Sequence, residues 1–94
     1  MSNALALGFK IAGALQNKFK DKLVVVRRCQ LHNGREVLEY VLADGSHEGA
    51  TAYSEGFFED TDKQHINWLA TNIFRELSQR LAWARMSIKN PTRS

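Results

Sequence analysis

The chain has few of the residues that build cross-links, linkers or membrane spans. Its single cysteine, Cys29, excludes an internal disulfide and is typical of a protein of the reducing cytoplasm, where we expect this one. One proline and six glycines in 94 residues leave little room for linkers. We therefore expect one compact domain over residues 1–94, with residues 90–94 disordered. No apolar run approaches the ~20 residues that cross a bilayer, so no membrane partner is expected.

Basic residues are missing from the middle of the chain. Residues 36–62 hold eight acids and no base, residues 1–35 hold seven bases and one acid, and residues 63–94 hold six bases and one acid. The net charge of +3 therefore hides an acidic segment between basic ends. This polarity favours a protein partner with a complementary field over phosphate binding alone. Solvation of opposite ends of a domain explains it equally well.

Motifs of catalysis and metal binding are missing as well. His32, His47 and His65 have no zinc-site spacing, and the segment DGSHEG lacks the spacing and the lysine of a phosphate-binding loop. Cys29 lies in the middle of a predicted strand, where a cysteine beside Leu38 is typical of a core. We therefore predict a protein that is not an enzyme and that has no catalytic residue, no cofactor and no metal site.

What is present is a clear alternation of helix and strand patterns. Asn33-Gly34 and Asp44-Gly45 are strong hairpin signals between β-branched runs, and Thr61 with Gln64 forms the pattern of a helix capping box. The predicted elements are a helix over 3–20, strands over 23–32, 35–43 and SHEGATAYS, and a helix from Thr61 that stops at Asn90-Pro91. This order predicts an α+β fold, αβββα, a three-stranded antiparallel meander with two helices packed on one face.

A two-residue loop at Asn33-Gly34 sets the predicted register of the first hairpin. Arg28 then faces Glu39, and Cys29 faces Leu38. The predicted core face carries Leu23, Val25, Cys29, Leu38, Tyr40 and Leu42. In the second hairpin we expect Tyr40 to cover Gly49.

The last helix carries two stripes. The first is apolar and is expected to face the core: Ile66, Leu69, Ala70, Ile73, Phe74, Leu77, Leu81, Ala84 and Ile88. The second lies roughly 140° away on a helical wheel and consists of His65, Trp68, Asn72, Gln79, Trp83 and Met86. Tryptophan and methionine among amides are typical of a protein-binding surface. The alternatives are that the first helix buries part of this stripe, or that a homodimer does.

The acidic segment EGFFED, residues 55–60, is predicted to be a loop with a binding role. Two adjacent aromatics cannot easily both point inward, so one of Phe57 and Phe58 is expected in the core and the other exposed. Flanked by Glu55, Glu59 and Asp60, an exposed phenylalanine would anchor a basic partner. Together with Trp68 and Trp83, these five residues form the predicted partner-binding site.

A nucleic-acid-binding function is the alternative. Lys18, Lys20, Lys22, Arg27 and Arg35 form a basic cluster in the sequence that could neutralise phosphates. Against it, Glu39 is expected to pair with Arg28, and no aromatic platform of the kind that single-strand readers use is seen on the sheet.

The order of segments also carries a resemblance. A helix, DKLVVVRR, a hairpin, TAYSEGFFEDTD and INWLATNIFRELSQRLAW follow one another. This order resembles the small early proteins of short-tailed coliphages that inhibit the host dGTPase. The resemblance covers about residues 4 to 83, with FFEDTD, Trp68-Leu69 and Trp83 as the aligned parts. The present chain differs from that family in being net basic, with extra basic residues after Trp83.

The resemblance implies a phage protein that acts in the host cytoplasm. It would bind and inhibit a host enzyme, an oligomeric one that processes nucleotides or nucleic acids, and would have no catalysis of its own. Other phage blockers, anti-CRISPR proteins among them, share this size and logic, so a CRISPR complex is a second target class.

Overall fold

The computed structural model describes residues 3–59 and 65–88. In this part the elements are α1 (Asn3–Lys18), β1 (Leu23–Gln30), β2 (Glu36–Ala43), β3 (Glu48–Ser54), α2 (Glu55–Glu59) and α3 (Ile66–Ile88). The predicted helix cap at Thr61 and Gln64, the predicted stop at Asn90-Pro91 and the predicted disorder of residues 90–94 lie outside the described residues.

The three strands form one antiparallel sheet in the order β1-β2-β3, with the helices packed against it. The predicted α+β fold with αβββα order is confirmed. The short helix α2 is an addition, because Glu55–Glu59 was predicted to be a loop. This helical turn follows β3 directly, so it brings the paired phenylalanines back under the sheet and next to α1.

The predicted register of the first hairpin is wrong by one residue. Arg27 faces Glu39 and Arg28 faces Leu38, whereas Arg28 was expected opposite Glu39. The cause is the turn. Gly34 has φ of +86°, but Asn33 does not share a positive φ, so the mirror-image turn of a two-residue loop does not form. Instead the amide of Leu31 donates to the carbonyl oxygen of Arg35 (2.9 Å) across a three-residue loop.

The one-residue slip turns every side chain of β1 to the opposite face of the sheet. Val24 and Val26 pack against the core, while Leu23 and Val25 are 58% and 40% exposed on the open face. Cys29, predicted to face Leu38 in the core, faces Val37 and is only partly buried. Its Sγ lies 3.8 Å from Oε1 of Glu39.

The second hairpin also differs from its predicted register. Leu42, not Tyr40, faces Gly49, and Gly45 has φ of +96° at the first position of a two-residue loop. The need for glycine at position 49 comes from α3. A Cβ there would lie 2.4 Å from the backbone nitrogen of Leu81 and 2.7 Å from the carbonyl carbon of Arg80. The last helix therefore crosses β3 at backbone contact.

The core lies between the sheet and the helices. Its buried members are Ile11, Leu15, Phe19, Leu38, Tyr40, Leu42, Phe58, Leu69, Ala70, Ile73, Leu77 and Leu81. The Tyr40 hydroxyl donates a hydrogen bond of 2.6 Å to the carbonyl oxygen of Gly8, which satisfies the polar end of a buried ring. Burial raises the pKa of Tyr40 above its ordinary value of 10.0, so this hydroxyl stays protonated.

Gln16 joins the end of α1 to the start of β1. Its Nε2 donates to the carbonyl oxygens of Phe19 (2.8 Å) and Lys22 (2.7 Å), and its Oε1 accepts from the amide of Val24 (3.0 Å). One amide side chain therefore satisfies carbonyls left open beyond the helix end and an outward amide of an edge strand.

Asp44 ties the second hairpin to the last helix. Its Oδ2 accepts from Nη2 of Arg85 at 2.6 Å, and its Oδ1 accepts from the amides of Ser46 (2.9 Å) and His47 (2.8 Å). The hydrogen bond from Arg85 and then those two amides hold the pKa of Asp44 well below its ordinary value of 3.8.

We expect Asp44 to make the domain acid-sensitive. A depressed pKa contributes stability that is present above the unfolded-state pKa and is lost as the pH falls through the folded-state pKa. Asp44→Asn keeps an oxygen for the two amides but cannot titrate. The difference in unfolding free energy between wild type and Asp44→Asn should therefore shrink between about pH 5 and about pH 2 in urea titrations. A difference that does not change with pH would contradict the Asp44–Arg85 link.

Candidate protein-binding face

One side of α3 carries large side chains that the core does not use. We call it the outer face of α3 and define it by Trp68, Asn72, Arg75, Gln79, Trp83 and Met86. Trp68, Trp83 and Met86 are 41%, 48% and 60% exposed. The opposite side buries Leu69, Ile73 and Leu77 completely. Trp68 and Met86 are 18 residues apart, which is five whole turns, so the outer face is a straight row of about 27 Å.

The predicted assignment of the two α3 stripes agrees with most of these positions. Leu69, Ala70, Ile73, Leu77 and Leu81 are buried, as expected. Ile66 is 40% exposed, although it was predicted to face the core. Phe74 is partly buried and stacks on Phe19 with 4.6 Å between ring centroids. Trp68 and Trp83 are 41% and 48% exposed, so α1 does not bury either ring completely.

The amino-terminal half of the outer face forms a shallow groove of about 480 Å³. It is lined by His65, Asn67, Trp68, Thr71, Asn72 and Arg75. Nδ2 of Asn72 donates to the carbonyl oxygen of Trp68 at 2.8 Å. This bond leaves the Asn72 carbonyl oxygen as an acceptor beside the exposed tryptophan.

Trp83, near the other end of the row, is held by its neighbours on the helix. The Arg80 guanidinium lies 5.3 Å from the centroid of the Trp83 ring, and Nε of Arg80 donates to Glu76 at 3.0 Å. A cation over an indole face and an ion pair one turn earlier both restrict the rotamers of these side chains. A ring ordered in this way loses less entropy when a partner covers it.

The predicted anchor in the acidic segment does not have the expected exposure. Phe58 is 1% exposed and belongs to the core, so it is not accessible to a partner. Phe57 is partly buried and packs between Phe58 (5.1 Å between centroids) and Tyr53 (4.4 Å). Both rings therefore turn toward the domain, because α2 winds the segment into a helical turn where a loop was expected.

Two acids of that segment, Glu55 and Glu59, are not buried. Glu55 and Glu59 lie one helical turn apart, and Glu59 is exposed. The hydrogen bond with Glu55 and then the repulsion between the two carboxylates raise the pKa of Glu59 above its ordinary value of 4.5. Asp60, the fifth residue of the predicted anchor, lies outside the described residues.

The structure does not bring the five residues of the predicted basic cluster together. Lys18, Lys20 and Lys22 lie before β1 and Arg35 lies beyond its far end, about 25 Å away along an eight-residue strand. Arg27, between them, donates to Oε1 of Glu39 at 2.6 Å. Sequence proximity suggested a patch, but an extended strand separates its members.

The charge partners of the cluster also differ from those predicted. Arg28 was expected to pair with Glu39 but forms an ion pair with Glu36. Glu39 forms its ion pair with Arg27. Nζ of Lys18 lies 5.7 Å from the centroid of Phe74, so this ammonium covers an aromatic ring.

The three histidines lie apart: His32 in the first hairpin, His47 before β3 and His65 before α3. Within residues 3–59 and 65–88, no group of three or more His, Cys, Asp or Glu side chains is arranged to hold a metal ion. In the same ranges, none of the helices has the length and apolar character needed to cross a bilayer.

Sequence reasoning did not single out Asn67, Thr71 or Arg75 as site residues, yet all three line the groove beside Trp68. A helical wheel centred on Trp68 would have found Arg75 and Thr71, which fall within about 60° of it. Comparisons of the chain with protein-family models, with curated proteins and with solved structures gave no match.

Proposed function

We propose that this protein is a non-catalytic binding protein that attaches to another protein through the outer face of α3. The observation that carries the proposal is the exposure of Trp68, Trp83 and Met86 in one row on the side of α3 opposite the core. Tryptophan and methionine are enriched in protein interfaces, and on this face they are interspersed with the polar side chains of Asn72, Arg75 and Gln79. Trp83 is already ordered by Arg80, which favours tight binding at that end.

The resemblance to phage inhibitors of the host dGTPase supplies the proposed partner class. The partner is a host enzyme that processes nucleotides or nucleic acids, in the bacterial cytoplasm, and a CRISPR complex is the second target class. Inhibition would follow from occupying a surface of the enzyme. In this proposal the aromatic pair of α2 supports the fold, and the acids of α2 are left as a peripheral contact.

Replacing both tryptophans tests the proposal. Each central aromatic in an interface contributes about 2 kcal/mol or more, so Trp68→Ala with Trp83→Ala should weaken binding by more than ~100-fold. The tagged wild type and the double variant are used to capture proteins from bacterial lysate, and the captured partner is then purified and titrated by calorimetry. A second arm measures whether wild type inhibits purified bacterial dGTPase.

Leu31→Ala is the matched control, because Leu31 is also an exposed apolar residue (43%) but lies in the first hairpin, away from α3. It should bind as wild type does. Equal binding by wild type and the tryptophan double variant would place the interface elsewhere. Wild-type inhibition of the dGTPase would support the partner class, and no effect on that enzyme would remove it as the target.

The nucleic-acid alternative has one supporting observation, the exposure of Lys18 and Lys20 at the α1–β1 connection. If it holds, a gel shift with duplex and single-stranded DNA should show binding that weakens steeply as salt is raised. Lys18→Gln with Lys20→Gln should reduce that slope by about two. We expect no shift from the wild type at physiological salt.

A further inference from the structure

The described residues that line the groove at the start of α3 carry a net positive charge. Its described lining contains one permanently charged side chain, Arg75, and no carboxylate. The remainder is the Trp68 ring with His65, Asn67, Thr71 and Asn72. The groove is shallow, with a volume of about 480 Å³, and the Trp68 ring is the only large apolar side chain in its described lining.

Arg75 differs from the other arginines of α3. Arg80 pairs with Glu76 at 3.0 Å and Arg85 pairs with Asp44 at 2.6 Å, so both guanidiniums already have carboxylate partners. Arg75 is exposed and forms no ion pair or hydrogen bond with any described residue. A cation that has no partner among the described residues, next to an exposed indole, would suit a group that is both anionic and apolar.

We propose that the groove binds an acidic peptide segment of the partner, with an apolar side chain on Trp68 and a carboxylate on Arg75. This inference rests on the proposed function and specifies the chemistry of the partner. The guanidinium matches a carboxylate with two parallel N–H donors. Asn67 and Asn72 also line the groove, and their amide groups could form hydrogen bonds with the backbone of a bound peptide.

The same observations disfavour the other occupants. A second copy packed antiparallel on the outer face would bring two Arg75 guanidiniums near each other, with no carboxylate on either face to separate them. Nucleic acid needs several cations along its backbone, and here Arg80 and Arg85 are already paired. A single cation beside an apolar ring fits one carboxylate next to one apolar residue.

Fluorescence anisotropy with labelled synthetic probes tests the inference on the full chain. The first probe is a twelve-residue peptide of Glu and Ser with a central Leu-Phe pair. The second replaces each Glu by Lys, the third replaces Leu-Phe by Ser-Ser, and the fourth is a twelve-nucleotide oligothymidylate. We expect the first probe to bind at least ~10-fold more tightly than any other, and its affinity to fall as salt is raised.

Variants then locate the binding. Arg75→Gln should weaken the first probe by about threefold to fivefold, the usual effect of one exposed ion pair, and Arg75→Glu by more. Trp68→Ala should weaken it by ~10-fold or more. Lys10→Gln is the matched control: Lys10 is exposed on α1, and its replacement changes the net charge by the same amount without touching the groove.

Each outcome decides the inference. It is overturned if the first probe does not bind, if the lysine probe binds equally well, if oligothymidylate binds more tightly, or if Arg75→Gln and Lys10→Gln have equal effects. Should Trp68→Ala lose its cooperative melt, the two Arg75 variants decide alone. Capture of a partner that needs Trp68 and Trp83 but is indifferent to Arg75→Glu would leave the proposed function standing and remove this inference. Selective binding of the first probe with no captured partner would show that the groove recognises acidic peptides, whereas the proposed function, and with it the assignment of that peptide to a partner, would fail.

Discussion

Phe58→Ala should lower the free energy of unfolding by ~3–5 kcal/mol, measured by urea denaturation. Phe58 is 1% exposed, and its ring lies against α1, where a Cβ added to Gly8 would be 3.1 Å from Phe58 Cζ. Alanine would remove most of a buried ring and leave a cavity between α2, α1 and the sheet. A domain of this size has about 5–15 kcal/mol of total stability, so the loss is a large part of it.

Phe57→Ala and Phe58→Leu are the comparisons for that prediction. Phe57 is only partly buried, so its replacement should cost less than that of Phe58, although it loses contacts with Tyr53. Phe58→Leu conserves more of the core volume and should cost less than alanine. A Phe58→Ala protein with the same urea midpoint as the wild type would contradict the burial of Phe58. Residues 55–60 could then again be the partner anchor that the sequence predicts.

Gly49→Ala should lower the free energy of unfolding by ~1–3 kcal/mol, the usual cost of forcing atoms into a packed interior. The new Cβ would lie within 3 Å of three backbone atoms of α3: the Leu81 nitrogen, the Arg80 carbonyl carbon and the Leu81 Cα. Backbone atoms in the middle of a helix cannot turn away as a side chain can. The helix would have to move off β3, and it would take Leu77 and Leu81 partly out of the core.

Gly13→Ala is the opposite substitution in the same chain. A Cβ at Gly13 would meet no atom within 4 Å, and the residue lies inside α1, where glycine costs about 0.5–1 kcal/mol relative to alanine. Gly13→Ala should therefore raise the thermal midpoint while Gly49→Ala lowers it. If both alanines raised it, α3 would not cross β3 at the distance described.

The sequence by itself determined the kinds of element and their order. Helical spacing of apolar residues, β-branched runs and two Asn/Asp-Gly turns each depend on neighbours within a few residues, and the αβββα order follows from them. The two-stripe pattern of α3 is local in the same way. Trp68, Trp83 and Met86 could therefore be placed on the face away from the core before any contact was known.

Only the tertiary structure decided the register of the first hairpin. Val24 and Val26 are apolar, but so are Leu23 and Val25, so the pattern of β1 fits either face of the sheet equally well. An Asn-Gly pair is compatible with more than one turn type. In the folded chain φ of Asn33 is not positive, so the turn and the register differ from those of a two-residue loop. The one-residue shift in register changed the placement of Cys29 and the glutamates with which Arg27 and Arg28 pair.

Long-range packing decided the rest. Gly49 is needed because of Arg80 and Leu81, about thirty positions later in the chain, and no local pattern records that crossing. Phe58 is buried because α2 folds it against α1, which the sequence places far away. Among the described residues, Arg75 has no carboxylate partner while Arg80 and Arg85 each have one, and this difference depends on which acids the fold brings within reach. Local chemistry thus determined which residues could form a binding surface, and contacts between distant segments decided which of them were left for a partner.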